Sequence, residues 1–483
     1  MPSDLLLNLV DGEFVAAVDG GTLEVLDPAS GEAVGRVPAM TEADLAAVFD
    51  AAEEGARAWR ATGAIARGQI LYRAAALIRQ EAAELAALIT AEMGKTLVEA
   101  SGEVGKAAEF FEYYAGLAKL PFAESLPDAR PHTYAMQIRE PLGVVLLIAP
   151  WNDPLLTPAR KLAPALIAGN AVVIKPATET PLITLRLAEI LHRAGLPAGT
   201  LGTVTGRGST IGDALVADRR IRAISFTGST AVGLELQRQV AGRGVRVQTE
   251  MGGKNALVVL DDADLELAVT AIMGGSFGQA GQRCTASSRL ILQAGIADRV
   301  IAEVSTRVRA LRVGPGAADG TDVGPVVSRR AQQDIGEHVE RALAAGAEVL
   351  ATATLEPALA ERGAFVAPLL LSVTTQNPIW RDEVFGPVLG TIVVDDLDAA
   401  IAAANDSAYG LSAAVFTRNL EAAHRFVDEI ETGQVSVNQP TSGWDVHEPF
   451  GGFKDSGSPF KEQGLEALRF YTRVKTAAIR TRG

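Results

Sequence analysis

Val144-Val145-Leu146-Leu147-Ile148-Ala149-Pro150-Trp151-Asn152 holds five large apolar residues in a row and then breaks into alanine, proline, an indole and an amide. A strand with one wet face alternates apolar and polar side chains. An unbroken apolar run means that both faces are covered, as in a parallel sheet. Working outward, a helical pattern falls near residues 158–168 and a second apolar run at Ala171–Ile174. A helix over Leu182–Arg193 stops at Gly195 and Pro197. Short strands follow at Gly202–Thr205, Ile221–Phe226 and Val245–Thr249, with a helix opening near Thr230. Strand–helix alternation of this kind predicts a parallel sheet with helices on both faces. Its ligand site lies beyond the carboxyl ends of the strands.

Residues 41–120 read as helices, with Ala, Leu and Glu recurring at helical spacing, as in Ala74–Ile78 and Leu85–Ile89. After Gly252-Gly253 the alternation resumes. Strands at 257–260, 289–292, 388–394 and 413–416 lie between Ala-rich helices, which predicts a second α/β domain. Residues 121–140 suggest a two-stranded element, and Phe470–Ile479 an alternating strand.

A chain of 483 residues is too long for one compact core. Its 48% hydrophobic and 21% charged content describes a soluble globular protein. The net charge of −14 argues against nucleic acid and anionic membranes as partners. The single cysteine excludes an intramolecular disulfide framework, and His132, His192, His338, His424 and His447 lack zinc-ligand spacing, so no metal is expected. Met1-Pro2-Ser3-Asp4 lacks the basic start of a signal peptide. No apolar run approaches the ~18 residues of a membrane span. The expected compartment is the cytoplasm.

That cysteine, Cys284, stands in Phe277-Gly278-Gln279-Ala280-Gly281-Gln282-Arg283-Cys284-Thr285, among glycines and polar side chains. A structural thiol favours apolar packing, whereas a nucleophilic one needs access and nearby donors. Four further sets fall at strand ends: Pro150-Trp151-Asn152, Lys175-Pro176, Phe226-Thr227-Gly228-Ser229, and Glu250-Met251-Gly252-Gly253-Lys254-Asn255. Taken singly, each has a plain reading as a turn, a cap or a surface carboxylate.

With Glu383-Val384-Phe385-Gly386-Pro387 and Pro449-Phe450-Gly451-Gly452, these sets in this order resemble the aldehyde dehydrogenase superfamily from about residue 10 to the C-terminus. The resemblance implies an α/β fold: a Rossmann-variant cofactor domain (1–120 and 142–252), a second α/β catalytic domain (253–445), and a small β oligomerisation arm (121–141 and 466–483). It implies oxidation of an aldehyde to a carboxylic acid. Cys284 forms a thiohemiacetal and then a thioester, Asn152 and the Cys284 backbone N–H hold the oxyanion, and Glu250 is the general base for hydrolysis. Glu462 matches a second carboxylate with a proton-relay role.

For the cofactor, NAD or NADP, the resemblance implies Lys175 at the adenosine ribose and Ser229 at the pyrophosphate. Glu383 would hold the nicotinamide ribose, and Phe385 would lie beside the ring. Trp151, Thr178, Gly208, Phe226 and Gly228 complete the expected cofactor contacts. Thr178 stands where NAD-preferring relatives carry Glu, and Arg207 is within reach of a 2′-phosphate, so NADP is expected to be accepted; the rival reading gives the ribose to Glu179 and prefers NAD.

For the substrate, Asp153, Arg160, Arg283, Trp444 and Phe450 are the candidates. Two arginines suit a carboxylated semialdehyde, and the closest flavour is the α-ketoglutaric semialdehyde dehydrogenases. The rival readings pair Arg160 with Asp153 in an internal salt bridge, or stack an aromatic (benzaldehyde- or vanillin-type) aldehyde on Trp444. A non-catalytic structural or binding protein on the same fold is the reading of another class. A homodimer or homotetramer is implied by the family.

Overall fold

The structure is a computed structural model and describes residues 5–120 and 122–481. The Met1-Pro2-Ser3-Asp4 start, and residues 121, 482 and 483 of the expected arm, lie outside the described residues. Val144–Ile148 is the central strand of a five-stranded parallel sheet. The spatial order is Arg246–Glu250, Ile221–Thr227, Val144–Ile148, Ala171–Lys175, Leu201–Thr203. The unbroken apolar run has its reason here. Val145 and Leu147 enter one core with the helices Ala64–Gln80 and Leu97–Gly116, while Val144 and Leu146 enter another under Glu42–Ala61.

The chain moves outward from Val144–Ile148 to its neighbours on one side, then crosses to Ile221–Thr227 on the other. That reversal opens a crevice at the carboxyl ends of these two strands. Pro150-Trp151-Asn152 and Gly228-Ser229 follow directly on the two strands that flank it.

A second sheet of seven strands follows, in the order Glu348–Thr352, Leu369–Ser372, Val388–Val394, Ser287–Gln293, Asn255–Val259, Ser412–Phe416, Gln434–Val437. Its neighbours are parallel except the first pair. Three of these strands are not visible in the sequence pattern. Glu348–Thr352 is an edge strand buried only at Ala351, Leu369–Ser372 has just four residues, and Gln434–Val437 alternates in burial. The small antiparallel pairs Asn8–Val10 with Glu13–Val15 and Thr22–Leu26 with Ala33–Pro38 are likewise too short to announce themselves.

A three-stranded antiparallel sheet joins Ala123–Leu126, Thr133–Pro141 and Thr472–Arg480. The last strand begins two residues later than its sequence pattern predicts. Phe470 instead ends the helix Gly464–Phe470, and Ala467, Leu468, Phe470 and Tyr471 are buried in the core shared with Val145 and Leu147. Burial of these apolar side chains outweighs the local alternation. Among the described residues, no helix is long and apolar enough to cross a membrane.

Candidate active site

The strand Arg246–Glu250 leaves the first sheet and, four residues on, Asn255–Val259 enters the second. Glu250 therefore ends one sheet where Asn255 begins the other. Asn255 Nδ2 donates to the carbonyls of Cys284 at 2.8 Å and Ala286 at 2.9 Å, which fixes the cysteine loop at this junction. The approach is too close for side chains between them. A Cβ on Gly253 would lie 2.6 Å from the Cys284 carbonyl oxygen, and one on Gly252 would lie 2.1 Å from Glu383 Oε2.

Cys284 is half-buried and lines a cavity of about 360 Å³ with Asp153, Arg160, Gln279, Arg283, Trp444 and Phe450 among its walls. Burial pushes its thiol up to about 12, opposed by the Arg160 cation. Asn152 is buried, and its Nδ2 donates to the Gln282 carbonyl at 3.0 Å, two residues before Cys284. The amide has a second N–H left for a ligand oxygen.

Glu250 is 2% exposed. Its Oε1 accepts from Gln248 Nε2 at 3.2 Å, and its Oε2 has no partner among the described residues. Burial, and next the charge of Glu462, push this carboxyl well above the ordinary range. Glu462 differs. Burial pushes it up too, but Lys161 and Arg160 outweigh burial and hold it below the usual value. Lys161 Nζ bonds Glu462 Oε1 and also donates to Ser225 Oγ at 2.8 Å.

Arg160 Nε lies 2.8 Å from Glu462 Oε2, an ionic contact outside hydrogen-bond geometry, and its guanidinium covers the Phe450 ring at 4.8 Å. The rival Arg160–Asp153 salt bridge is not formed among the described residues. Asp153 Oδ1 instead takes Lys95 Nζ at 3.0 Å, and Lys95 is held by Glu103 Oε2 at 2.5 Å. The reason is placement: Arg160 lies on the helix Leu156–Ile167 facing the C-terminal segment, whereas Asp153 precedes that helix beside Glu103, which accepts the backbone N–H of Leu155 and Leu156. Arg283 makes no ion pair among the described residues; its Nε donates to Gln279 Oε1 at 2.6 Å. Trp444 Nε1 donates to Thr441 O at 3.3 Å.

The expected cofactor residues fall in more than one place. A cavity of about 550 Å³ is lined by Lys175, Gly208, Phe226, Val232 and Leu236. Among the described residues Lys175 Nζ bonds only the Pro176 carbonyl, at 3.1 Å, and Ser229 precedes the helix Thr230–Val240 without spending its side chain on a cap. Such a helix start favours anions. Gly228 lies against Phe226, where a Cβ would be 2.6 Å from the ring. Glu383 Oε1 accepts from Gly253 N at 2.9 Å, and burial raises its carboxyl to about 7. The Phe385 ring meets Trp151 edge-on at 5.3 Å. Thr178 lies outside the walls of this cavity, beside the Gly206 carbonyl at 3.5 Å. Lys175, Gly208 and Phe226 thus line an apolar cavity with a buried amine that suits an adenosine, while Glu383 and Phe385 wall a separate cleft with Gly253 and Arg283.

Sequence reasoning missed Lys95, Glu103, Lys161, Gln248 and Gln279. Lys161 had a signal, a second charge beside Arg160 in an otherwise apolar helix. Among the described residues no group of three or more His, Cys, Asp or Glu side chains could hold a metal ion.

The model of the aldehyde dehydrogenase family matches residues 14–477. Alpha-ketoglutaric semialdehyde dehydrogenase of Bacillus subtilis (strain 168) is 39% identical over 98% of each chain. Alpha-ketoglutarate semialdehyde dehydrogenase of Haloferax volcanii is 42% identical over 97% of this chain and 98% of its own. The crystal structure of betaine aldehyde dehydrogenase from Staphylococcus aureus in complex with NAD+ superposes with a TM-score of 0.96 at 32% identity, over 99% of this chain and 95% of that one. A near-complete match in sequence and in fold leaves one assignment: the chain belongs to the aldehyde dehydrogenase family.

Proposed function

We propose that this enzyme oxidises a carboxylated semialdehyde of the α-ketoglutaric semialdehyde class to the dicarboxylic acid, with NAD or NADP as hydride acceptor. The observation that carries the substrate class is the charge pairing around the Cys284 cavity. Lys95, Lys106 and Arg160 each form an ion pair, whereas Arg283 forms none among the described residues and acts on Asp153 only at longer range. An arginine whose terminal nitrogens are uncommitted recognises a carboxylate bidentately. The curated relatives with semialdehyde names support the same class. The aromatic-aldehyde reading is not favoured: the relatives above carry semialdehyde names, and Arg160 covers a face of Phe450.

In this reading the Cys284 sulfur adds to the aldehyde carbon, and the oxygen turns anionic beside the second Asn152 N–H and the Cys284 backbone N–H. Preorganised donors of this kind typically contribute about 10²–10³-fold each. The bound nicotinamide supplies the hydride acceptor. Glu250 then takes a proton from the water that attacks the Cys284 thioester, and the acid departs. Lys175, Ser229, Glu383, Phe385 and Trp151 hold the cofactor, with Gly208, Phe226 and Gly228 shaping its cavity. NADP is accepted beside NAD. Thr178 carries no charge to repel a 2′-phosphate, and it lies next to the turn bearing exposed Arg207, which has no ion pair among the described residues. An NAD preference of ~100-fold or more, ~2.7 kcal/mol, would refute this.

The cofactor and catalytic domains meet at the junction described above. The three-stranded sheet forms an arm between subunits of a homodimer or homotetramer, supported by exposed Tyr134, Val474 and Ile479 along its strands. The enzyme works in the cytoplasm.

The test is kcat/KM for α-ketoglutaric semialdehyde and benzaldehyde with each cofactor, repeated for Arg283→Met and Arg160→Ala. Loss of an uncommitted carboxylate anchor costs about 2–4 kcal/mol on the charged substrate and much less on the uncharged one. A wild-type preference for benzaldehyde would overturn the substrate class.

A further inference from the structure

In the loop that leads to Cys284 the backbone runs through three consecutive left-handed residues: Gln279 (φ 54°), Ala280 (φ 54°) and Gly281 (φ 68°). Only the third is a glycine. The left-handed region costs a residue with a Cβ roughly 1–2 kcal/mol, and such strain persists where the surroundings over-determine it. Here the determinants are visible. Gln279 is 2% exposed, and its backbone N–H donates to Glu99 Oε1 at 2.5 Å. Glu99 is itself fixed by its reciprocal capping bonds with Thr96 at the start of Leu97–Gly116.

The Gln279 side chain is fully used. Nε2 donates to the Asn152 carbonyl and to Asp153 Oδ1 at 3.1 Å, and Oε1 accepts from Arg283 Nε at 2.6 Å. The orientation of the amide is forced. An arginine only donates, a carbonyl and a carboxylate only accept, so the nitrogen must face Asn152 and Asp153 and the oxygen must face Arg283. Because Arg283 spends Nε on this bond, its two terminal nitrogens are the edge left for a ligand. Asp153 is in turn anchored by Lys95.

We propose that Gln279 is a specificity-determining positioning residue: its amide aims the Arg283 guanidinium at the substrate carboxylate and locks that arginine to the backbone of Asn152, so that the anchor and the oxyanion donor move as one unit. Asp153, the residue that follows Asn152, acts through this link and does not touch the substrate. The proposal rests on the reading of Arg283 as carboxylate anchor.

The test compares α-ketoglutaric semialdehyde with pentanal, an uncharged aldehyde of the same chain length, in the holoenzyme. Gln279→Met removes the amide at similar length. Gln279→Asn keeps an amide and tolerates the left-handed backbone but is too short to reach three partners. Both variants should raise KM for the semialdehyde by about tenfold more than for pentanal, with a much smaller change in the kcat ratio. Gln279→Met placed on Arg283→Met should add nothing further to the loss of preference. If Arg283→Met leaves the preference intact, the anchor reading fails and this proposal with it. If Arg283→Met abolishes the preference but neither Gln279 variant shifts it, the anchor stands and the positioning role is overturned. Equal losses on both aldehydes in both variants would also overturn it, since they would mean that Gln279 only shapes the cysteine loop.

Discussion

Replacing Glu250 by Gln should split the reaction into a fast first half and a blocked second half. The substitution keeps size and shape, and the glutamine carbonyl can still accept from Gln248 Nε2, now at 3.2 Å from Oε1. Folding is not put at risk. Burial and the nearby Glu462 already disfavour the charged carboxylate, so removing that charge relieves an electrostatic penalty. The first half should survive for the same reason. The Glu250 charge raises the Cys284 thiol, and its loss makes the thiolate easier to form. Thioester hydrolysis loses its base, a penalty of about 10²–10⁴-fold, or about 3–5 kcal/mol. The assay is rapid mixing with semialdehyde and cofactor while absorbance of the reduced nicotinamide is followed. The wild type should give a steady rise. Glu250→Gln should give one equivalent per active site and then almost stop. A slow linear trace without a burst would refute the reasoning, because it would place Glu250 in the acylation half.

Asn152→Ala should lower kcat about 10²–10³-fold with little change in KM; a loss confined to KM would make Asn152 a binding residue. In the enzyme without cofactor, alkylation of Cys284 by iodoacetamide should quicken steadily through the mildly alkaline range, because burial pushes the thiol up to about 12; a plateau in the neutral range would contradict that. Cofactor affinity should weaken as pH falls through about 7, where Glu383 gains a proton and loses its charge and part of its acceptor capacity, and Glu383→Gln should flatten the dependence of Kd on pH. Glu92 accepts the backbone N–H of Leu182 at 2.9 Å and Ile183 at 3.0 Å at the start of Leu182–Arg193. Glu92→Ala leaves two buried donors open and should cost about 2–4 kcal/mol, read as faster thermal inactivation, with Glu92→Gln in between; inactivation at the wild-type rate would refute the capping role.

The first sheet was legible because its strands are buried on both faces, and covered parallel strands write uninterrupted apolar runs. The edge strand Glu348–Thr352 is mostly exposed and writes no such run. The helix Leu182–Arg193 matches its pattern end to end, since Gly195 and Pro197 punctuate it. What the sequence could not supply was pairing across the chain. Arg160 is an arginine near the nucleophile in any reading, but its partner Glu462 sits at the far end of the chain, and only packing of the C-terminal segment brings the two together. Gln279 was hidden for another reason. Its importance lies in a left-handed backbone and three simultaneous hydrogen bonds, neither of which a residue type encodes.

Two carboxylates, Glu250 and Glu462, meet opposite environments within one site, and the difference assigns them different work. Glu462 has a cation on each oxygen, so it stays ionised and has little reason to take up a proton. Glu250 has one amide donor and an orphaned oxygen, so its charge is costly and a proton is welcome. The two are linked by hydrogen bonds from Glu462 to Lys161, Ser225 and Gln248, and then to Glu250. The last link decides what the chain can do. Ser225 Oγ donates to Gln248 Oε1 at 2.6 Å while Gln248 Nε2 donates to Glu250, so the path crosses a carboxamide. A carboxamide holds its donors and acceptor in fixed places and does not pass a proton along as a hydroxyl or a carboxylate does. We propose that the chain braces Glu250, with Glu462 as its ionic anchor. Gly451 packs against the Glu250 oxygen that accepts from Gln248, where a Cβ would lie 2.6 Å from Oε1, and Lys461 Nζ donates to the Gly451 carbonyl.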